Sequence, residues 1–249
     1  MQAQHYHLWE RCREFVRVAC AGRDSSHGLA HMEKVTESAI LILCMQNQVA
    51  ATDMHTTLSR VILVAMLHDV ADHKYDSDGT LRHRVEAFIK EERNATIETA
   101  QSHAYALQTI EAVSFSAEKQ RGKRWFTSVL PTEWLRVRDI VSDADKLEAI
   151  GYAGLLRCLE YTSHLLLPRG KTTEGEQHMK EGGEGRPHWS REFERQCLQN
   201  VREHFEEKLN LLPTEYIVTE PGRFLALPRR AEMVEALHQW EENGLPPLS

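Results

Sequence analysis

The distribution of proline along the chain restricts its fold more than any other feature of the sequence. All eight prolines lie at position 131 or later in a chain of 249 residues. Because a proline inside a helix removes a hydrogen bond and clashes with the preceding turn, the first 130 residues permit long, unbroken helices. Apolar residues recur there at spacings of three and four, the period of an amphipathic helix. This pattern predicts helices over 6–21, from His27 or Gly28 onward behind possible caps at Asp24-Ser25-Ser26, and over 57–70, 82–93 and 96–113.

The remainder of the chain continues the helical pattern, apart from one segment. Apolar spacing predicts helices from Glu133 past Leu147, from Gly154 to Leu167, over 190–210 and over about 229–243. Residues 168–188 contain five glycines and almost no aliphatic side chains, so we expect a flexible insertion loop there. We therefore predict an all-α helical bundle with a single domain spanning 1–249.

The bulk composition argues against several classes of protein. Apolar residues make up 41% of the chain and its net charge is −7, which gives no electrostatic basis for binding nucleic acid or an anionic membrane. Five cysteines without a C-x-x-C motif argue against a disulfide framework and a cysteine zinc site. No apolar run approaches the roughly 20 residues of a membrane span, and the N-terminus lacks the apolar centre of a signal peptide. We expect a cytoplasmic protein, a monomer or homodimer, with neither nucleic acid nor membrane as partner.

Three polar clusters interrupt the apolar helical pattern and carry the candidate chemistry. The first is HGLAHMEKV, whose two histidines are four residues apart and can therefore share one helix face. The second is LHDVADHKY, in which a His-Asp pair ends an apolar run. The third is DADKLEAIG. Imidazoles and carboxylates brought together by three helices suit Mn²⁺, Fe²⁺, Co²⁺ or Mg²⁺. The candidate residues are His27, His31, His68, Asp69, Asp72, Asp143 and Asp145.

The residues by themselves leave a structural interpretation open for each cluster. A histidine on an apolar helix is usually a hydrogen-bonded core residue, and an aspartate at a helix end can bond to nearby backbone groups. Asp143 can serve as a helix N-cap. Adjacent residues on a helix point about 100° apart, so His68 and Asp69 can share one ion only if it lies between their directions.

In their order along the chain, these motifs resemble those of the HD-domain metal-dependent phosphohydrolases, and most closely the compact group of that family. There a His-Gly-x-x-His-x-x-(Arg/Lys)-Val stretch opens the domain, and Asp-Ala-Asp-(Arg/Lys)-Leu-(Asp/Glu)-Ala-Ile-Gly closes the site. VSFSAEKQRG resembles the loop ahead of the last ligand, while HFEEKLNLLP and TEPGRFLALPRR resemble the C-terminal tail. The likeness covers roughly 20–165 and 195–240. It implies an HD-domain-like bundle holding one divalent ion: Mn²⁺, Mg²⁺, Co²⁺, Ni²⁺ or Fe²⁺.

The resemblance also implies a set of metal ligands. His31, His68, Asp69 and Asp145 match the ligand positions of the family. Asp145 is preferred to Asp143, because the usual ligand directly precedes Arg/Lys-Leu. Asp143 would then hold a ligand in place or cap a helix.

The remaining polar residues are matched to the substrate and to catalysis. Asp69 or Asp72 would orient or deprotonate the attacking water, although Asp72 can instead pair with a lysine. Lys74 and Lys146 are candidates to neutralise phosphate charge, as is the basic stretch 119–124, for which a solvated loop is the alternative. His27 would contact substrate or cap a helix. The residues proposed to orient the metal ligands are Glu33 and Glu148.

The implied activity is hydrolysis of nucleoside or deoxynucleoside triphosphates to monophosphate and pyrophosphate, with a metal-bound water as the nucleophile. The alternatives are a 5′-nucleotidase, a cyclic-nucleotide phosphodiesterase, or a non-catalytic sensor that binds metal and nucleotide. The insertion at 168–188 would either cover the site as a lid or be an inert surface loop.

Overall fold

The structure is a computed structural model that describes residues 1–23, 27–46, 51–92, 99–166, 179–181 and 187–247. Ten α-helices and one pair of short strands account for most of these residues. The predicted all-α class is confirmed. The elements are α1 (Ala3–Ala19), α2 (Leu29–Met45), α3 (Ala51–Leu67), α4 (Thr80–Glu91), α5 (Ala100–Val113), α6 (Phe115–Arg121), α7 (Thr132–Ala149), α8 (Tyr152–Leu166), β1 (Met179–Glu181), β2 (Pro187–Trp189), α9 (Arg191–His204) and α10 (Glu220–Asn243).

The chain forms two compact units, which are described separately. The first unit comprises Met1–Asp145 with Ile217–Arg223, and the second comprises Lys146–Tyr216 with Phe224–Ser249. Two of the three boundaries between the units fall inside helices, since α7 continues past Asp145 and α10 begins before Phe224. The prediction of a single domain over 1–249 stays a prediction.

Helix α3 is the centre of the first unit. Every residue from Val61 to Leu67 is completely buried, and the helix packs against α1, α2 and α5. A helix that is apolar on all sides must be surrounded by other elements, which is the arrangement its sequence predicts. The end of α3 is therefore held rigidly, and the residues that follow it inherit a fixed position.

Helix α7 is fixed against the end of α5 by buried polar side chains. The Arg138 guanidinium is fully buried, donates to the Ala112 carbonyl at 2.9 Å and forms an ion pair with Glu118 at 2.6 Å. The Ser142 hydroxyl donates to the Val113 carbonyl at 3.2 Å. The last carbonyls of a helix have no partner within the helix, so these donors satisfy the C-terminus of α5 and set the position of α7.

The second unit is built around the pair of helices α8 and α9, which pack on each other. The Ser190 hydroxyl caps α9 by accepting from the Phe193 amide at 3.2 Å, as serine commonly does at this position. Two π-type turns, Phe205–Leu209 and Leu212–Tyr216, follow α9. The Leu147 carbonyl, in the last turn of α7, accepts from Arg229 of α10.

Several predicted boundaries differ from the observed ones. The third helix ends at Leu67 and not at 70, because the chain turns directly after the buried run. The stretch VSFSAEKQRG contains helix α6 rather than a loop, capped by the Ser114 hydroxyl. The last helix begins at Glu220, nine residues before the predicted start, and contains Pro228. Its buried stripe continues through the proline from Ala226 to Met233, so packing outweighs the proline's local preference.

Two predictions fall largely outside the described residues. The first is the prediction that Asp24, Ser25 or Ser26 caps a helix, since all three positions lie outside the described residues. The same holds for most of the predicted insertion at 168–188. Its described parts are the strands β1 and β2, which pair antiparallel with Lys180 opposite His188. The lid and inert-loop interpretations both stay open predictions.

Candidate metal centre

The His-Asp pair lies in the turn that directly follows α3, so neither residue belongs to the helix. The His68 side chain is only 1% exposed. Its Nδ1 bonds to the Ala65 carbonyl at 2.8 Å, and since a carbonyl only accepts, Nδ1 carries the proton that is donated. In the neutral ring Nε2 is then an acceptor, and it has no hydrogen-bond partner among the described residues although it is buried. A buried ring nitrogen in this state is oriented as a metal ligand would be.

Three other predicted ligands surround this nitrogen. Asp69 Oδ1 and Asp145 Oδ1 each lie 3.7 Å from His68 Nε2. The Nε2 atom of His31, on the first turn of α2, lies 3.4 Å from Asp145 Oδ1 and 3.7 Å from Asp69 Oδ2. The structure therefore brings together all four residues that the family resemblance indicated as ligands.

The spacing of these atoms fits one divalent ion. Ligand atoms of His31, His68 and Asp69 all lie within 4.8 Å of one another. Nitrogen and oxygen ligands at about 2.1 Å from a common ion lie about 3 to 4.2 Å apart for angles between 90° and 180°. The observed 3.4–3.7 Å separations lie in that range. Two imidazoles with two carboxylates suit borderline and hard divalent ions.

The same arrangement shifts the pKa values of two of the ligands. Burial alone lowers the pKa of His68, but the carboxylates of Asp69 and Asp145 outweigh burial and raise it to about 9. Burial acts in the opposite direction on Asp145, where the facing imidazoles of His31 and His68 outweigh it and hold the pKa well below its usual range. In the metal-free protein His68 is therefore the cation that compensates the two carboxylates.

This pKa shift predicts proton release when metal binds. At pH 7.5 the metal-free His68 is protonated, since its pKa is about 9, and a metal needs the neutral imidazole. We expect about one proton to be released for each Mn²⁺ bound, so that the apparent affinity rises with pH until about pH 9. Calorimetric titrations in buffers of different ionisation enthalpy measure this number. An affinity independent of pH between 6.5 and 8.5 would contradict the arrangement.

The stability of the metal-free protein should also depend on the titration of His68. It should fall as the pH rises, whereas the metal affinity increases. The folded pKa of His68 is raised above the model value of 6.5, so protonation of His68 stabilises the folded state fully below about pH 6.5. That contribution is lost as the pH rises through about 9. The melting temperature of the metal-free protein, recorded across this window, is expected to fall.

Arg23 is a contributor to the site that the sequence analysis missed. Its guanidinium donates to the carbonyls of Asp69 at 2.9 Å and Val70 at 2.6 Å, and it lies 4.2 Å from the centre of the Tyr75 ring. Arg23 thus satisfies the backbone of the turn that presents the His-Asp pair. No sequence pattern signals a side chain that binds carbonyls 46 positions away.

His27 is not placed as the spacing predicted, and Asp72 stabilises the turn that follows α3. Helix α2 begins at Leu29 with Gly28 as its extended N-cap, so His27 precedes the helix and does not share a helix face with His31. The ring of His27 lies 5.5 Å from that of Tyr75. Asp72 accepts from the backbone amide of Lys74 at 2.8 Å, which closes the turn.

The charged residues predicted to contact phosphate occupy different environments. Lys74 is exposed beside Asp72, whereas Lys146 is buried. In the basic stretch 119–124, Arg121 pairs with Glu111 at 2.5 Å and Arg124 pairs with Asp139 at 3.2 Å. Both arginines are thus engaged by carboxylates, and the substrate contacts of Lys74 and Lys146 stay predictions.

The two glutamates proposed to orient the metal ligands have recorded partners of their own. Glu33 forms an ion pair with Arg13 of α1 at 2.5 Å. Glu148 lies 3.5 Å from the Arg229 guanidinium. These contacts give both glutamates a structural role, and their contact with the candidate metal ligands stays a prediction.

The arrangement of helices recurs in known structures. An HD-superfamily hydrolase from Bacillus thuringiensis aligns with 97% of this chain and 100% of its own at a TM-score of 0.61 and 19% identity. This chain has the HD-domain fold. A Lactobacillus plantarum protein aligns with 95% of this chain and 96% of its own (TM-score 0.62, 23% identity). Bacillus subtilis YpgQ in complex with ADP covers 97% of each chain (TM-score 0.57, 20% identity).

Sequence comparisons add no further relative: no protein-family model and no curated protein matches this sequence. Among the described residues, no helix combines the length and apolar character that crossing a membrane requires.

Proposed function

We propose that this protein is a metal-dependent phosphohydrolase that acts on nucleotides and uses one divalent ion. The observation that carries the proposal is the buried, unpartnered Nε2 atom of His68, which faces His31, Asp69 and Asp145 at ligand spacing. At neutral pH this nitrogen carries a proton in the metal-free protein and faces two carboxylates at 3.7 Å, beyond the length of a hydrogen bond. A bound divalent cation would replace that proton.

A bound divalent ion would supply a Lewis acid that polarises a phosphoryl oxygen and activates water. His31, His68, Asp69 and Asp145 would hold it. The His31, Asp69 and Asp145 side chains are 13%, 24% and 27% exposed, so this side of the site is open to solvent while His68 closes the other side. A phosphate group would approach from the open side.

We propose that an acidic residue in the turn after α3 accepts the proton of the attacking water or orients that water. Asp69 is partly exposed and adjacent to the candidate ion position, and Asp72 is held in place by the Lys74 amide. A carboxylate acts as a general base only within hydrogen-bond reach of the proton it accepts. Either residue fulfils the role if the water lies between it and the phosphorus.

Support for a nucleotide substrate comes from the YpgQ structure of the same fold, which is in complex with ADP. The exposed Lys74 lies two residues after Asp72 and is proposed to neutralise phosphate charge. Lys146 is proposed for the same role. His27, whose ring lies near Tyr75, is proposed to contact the substrate.

The deciding experiment is a nucleotide panel with Mn²⁺, Mg²⁺ and Co²⁺ and chromatographic separation of the products. We expect triphosphates to give monophosphate and pyrophosphate, at a rate that EDTA abolishes. Free phosphate with nucleoside would indicate a 5′-nucleotidase, and monophosphate from a cyclic substrate would indicate a phosphodiesterase. Metal and nucleotide binding without turnover would contradict the enzyme and favour a sensor.

A further inference from the structure

We infer that Thr219 is a positioning residue for the metal ligand Asp145 and acts through the buried carboxylate of Asp143. The inference rests on the proposed metal centre but not on the identity of the substrate. It concerns the short segment Ile217–Arg223, which returns to the first unit about 70 residues after α7 leaves it.

The Asp143 carboxylate is completely buried and accepts hydrogen bonds from three donors of this segment. It accepts from the Val218 amide at 3.1 Å, from the Thr219 amide at 2.7 Å and from the Thr219 hydroxyl at 2.6 Å. Hydrogen bonds to an ionised acceptor are about twice as strong as neutral ones. The segment is therefore fastened to α7 two residues before Asp145.

The Thr219 hydroxyl has its orientation fixed from both sides. It donates to Asp143 and accepts from the Gly222 amide at 3.0 Å, the bond that an N-cap side chain makes at the start of a helix. One hydroxyl thus joins the carboxylate on α7 to the first turn of α10. Without it, Asp143 loses its shortest hydrogen bond and α10 loses its cap.

Gly222 leaves no spare room at this junction. A Cβ atom at this position would lie 2.7 Å from both Asp143 Oδ2 and Thr219 Oγ1 and 3.0 Å from a methyl group of Ile217. The backbone of Gly222 has no positive φ, so the space, not the conformation, requires glycine. The contact between Asp143 and the segment is consequently closely packed as well as hydrogen-bonded.

This junction determines where Asp145 lies, because the two aspartates share one rigid helix. Arg138 fixes α7 against the Ala112 carbonyl and Glu118, and Asp143 fixes it nearer to the ligand. The Asp145 carboxylate must approach imidazole nitrogens on two other elements to within 3.4 Å and 3.7 Å. Residues that orient metal ligands contribute about 10- to 100-fold to metal affinity, and Thr219 is expected to do so.

The test measures Mn²⁺ affinity by calorimetry on folded protein, with melting curves recorded for each variant. Thr219→Val removes the hydroxyl but keeps the shape and the amide, and we expect Mn²⁺ to bind about tenfold more weakly. Thr219→Ser restores the hydroxyl and should bind Mn²⁺ like the wild type. The matched control is Thr109→Val, which removes a buried hydroxyl that bonds to the Tyr105 carbonyl in α5, and its affinity should be unchanged.

A second variant, Gly222→Ala, tests the same junction by crowding it. Alanine normally favours a helix over glycine, so an unchanged or tighter affinity would mean that the junction does not control Asp145. The inference is overturned if Thr219→Val and Gly222→Ala bind Mn²⁺ like the wild type, or if Thr109→Val weakens binding equally. It is also overturned, together with the metal centre, if the wild type binds no Mn²⁺. If the variants bind weakly while the wild type binds Mn²⁺ but hydrolyses no nucleotide, the inference stands and the proposed function fails.

Discussion

Replacement of His68 by alanine is expected to abolish stoichiometric Mn²⁺ binding and to reduce nucleotide hydrolysis at least about a thousandfold. His68 contributes the most deeply buried candidate ligand, and its ring is already oriented by the Ala65 carbonyl. Alanine removes that ligand and leaves Asp69 and Asp145 without the imidazole that lies 3.7 Å from each of them. Metal content by mass spectrometry and initial rates in saturating Mn²⁺ measure the two effects.

The matched control is His83→Ala, because His83 is exposed on α4 in the same unit. It should retain wild-type metal content and rate. Circular dichroism of both variants separates loss of the ligand from loss of the fold. If His68→Ala folds and keeps its metal and its activity, the ion does not bind at this cluster. Equal trace rates in His68→Ala and wild type, with metal bound only to the wild type, would support a sensor instead.

The four candidate ligands could be recognised in the sequence because each belongs to a short motif whose neighbours are also informative. The pair His68-Asp69 follows seven apolar residues, and that run forms the fully buried end of α3. What spacing did not predict is the turn at Leu67. Two adjacent residues on a helix diverge by about 100°, but directly after a helix the backbone can direct both toward one point. His68 and Asp69 can therefore face one ion, which is difficult for two adjacent residues within a helix.

The residues that hold the ligands in place were not predictable in the same way. Arg23 binds carbonyls 46 and 47 positions away, and Thr219 binds a carboxylate 76 positions away. Such contacts depend on how distant segments meet, and a single sequence contains no periodic or motif signal for them. Asp143 was left between a cap and a support for a ligand. Asp143 lies in the interior of α7, so it is not the N-cap of a helix. It accepts instead from the Thr219 amide at the start of α10, and its support of a ligand stays a prediction.

The position of α7 should depend strongly on the buried charge of Arg138. Arg138→Met is expected to lower the free energy of unfolding by about 3–5 kcal/mol, because it leaves the Glu118 carboxylate buried without its cation. Glu118 is 3% exposed and bonds to Arg138 at 2.6 Å. The methionine fills the space above the Phe126 ring, which the guanidinium now covers at 3.8 Å. The lost stability therefore reports the ion pairs with Glu118 and Asp139 and the Ala112 hydrogen bond rather than a cavity.

Two further variants make this prediction specific. In Arg138→Met with Glu118→Gln the buried negative charge is gone while Gln can still accept from the Arg124 amide, so part of the stability should return. Arg17→Met makes the same replacement at an ion pair whose side chains are 62% and 64% exposed, and it should leave stability essentially unchanged. Urea unfolding of all three measures these differences. If Arg138→Met is no more destabilising than Arg17→Met, the buried pair does not fix α7, and the position of Asp145 must depend on the Asp143 junction alone.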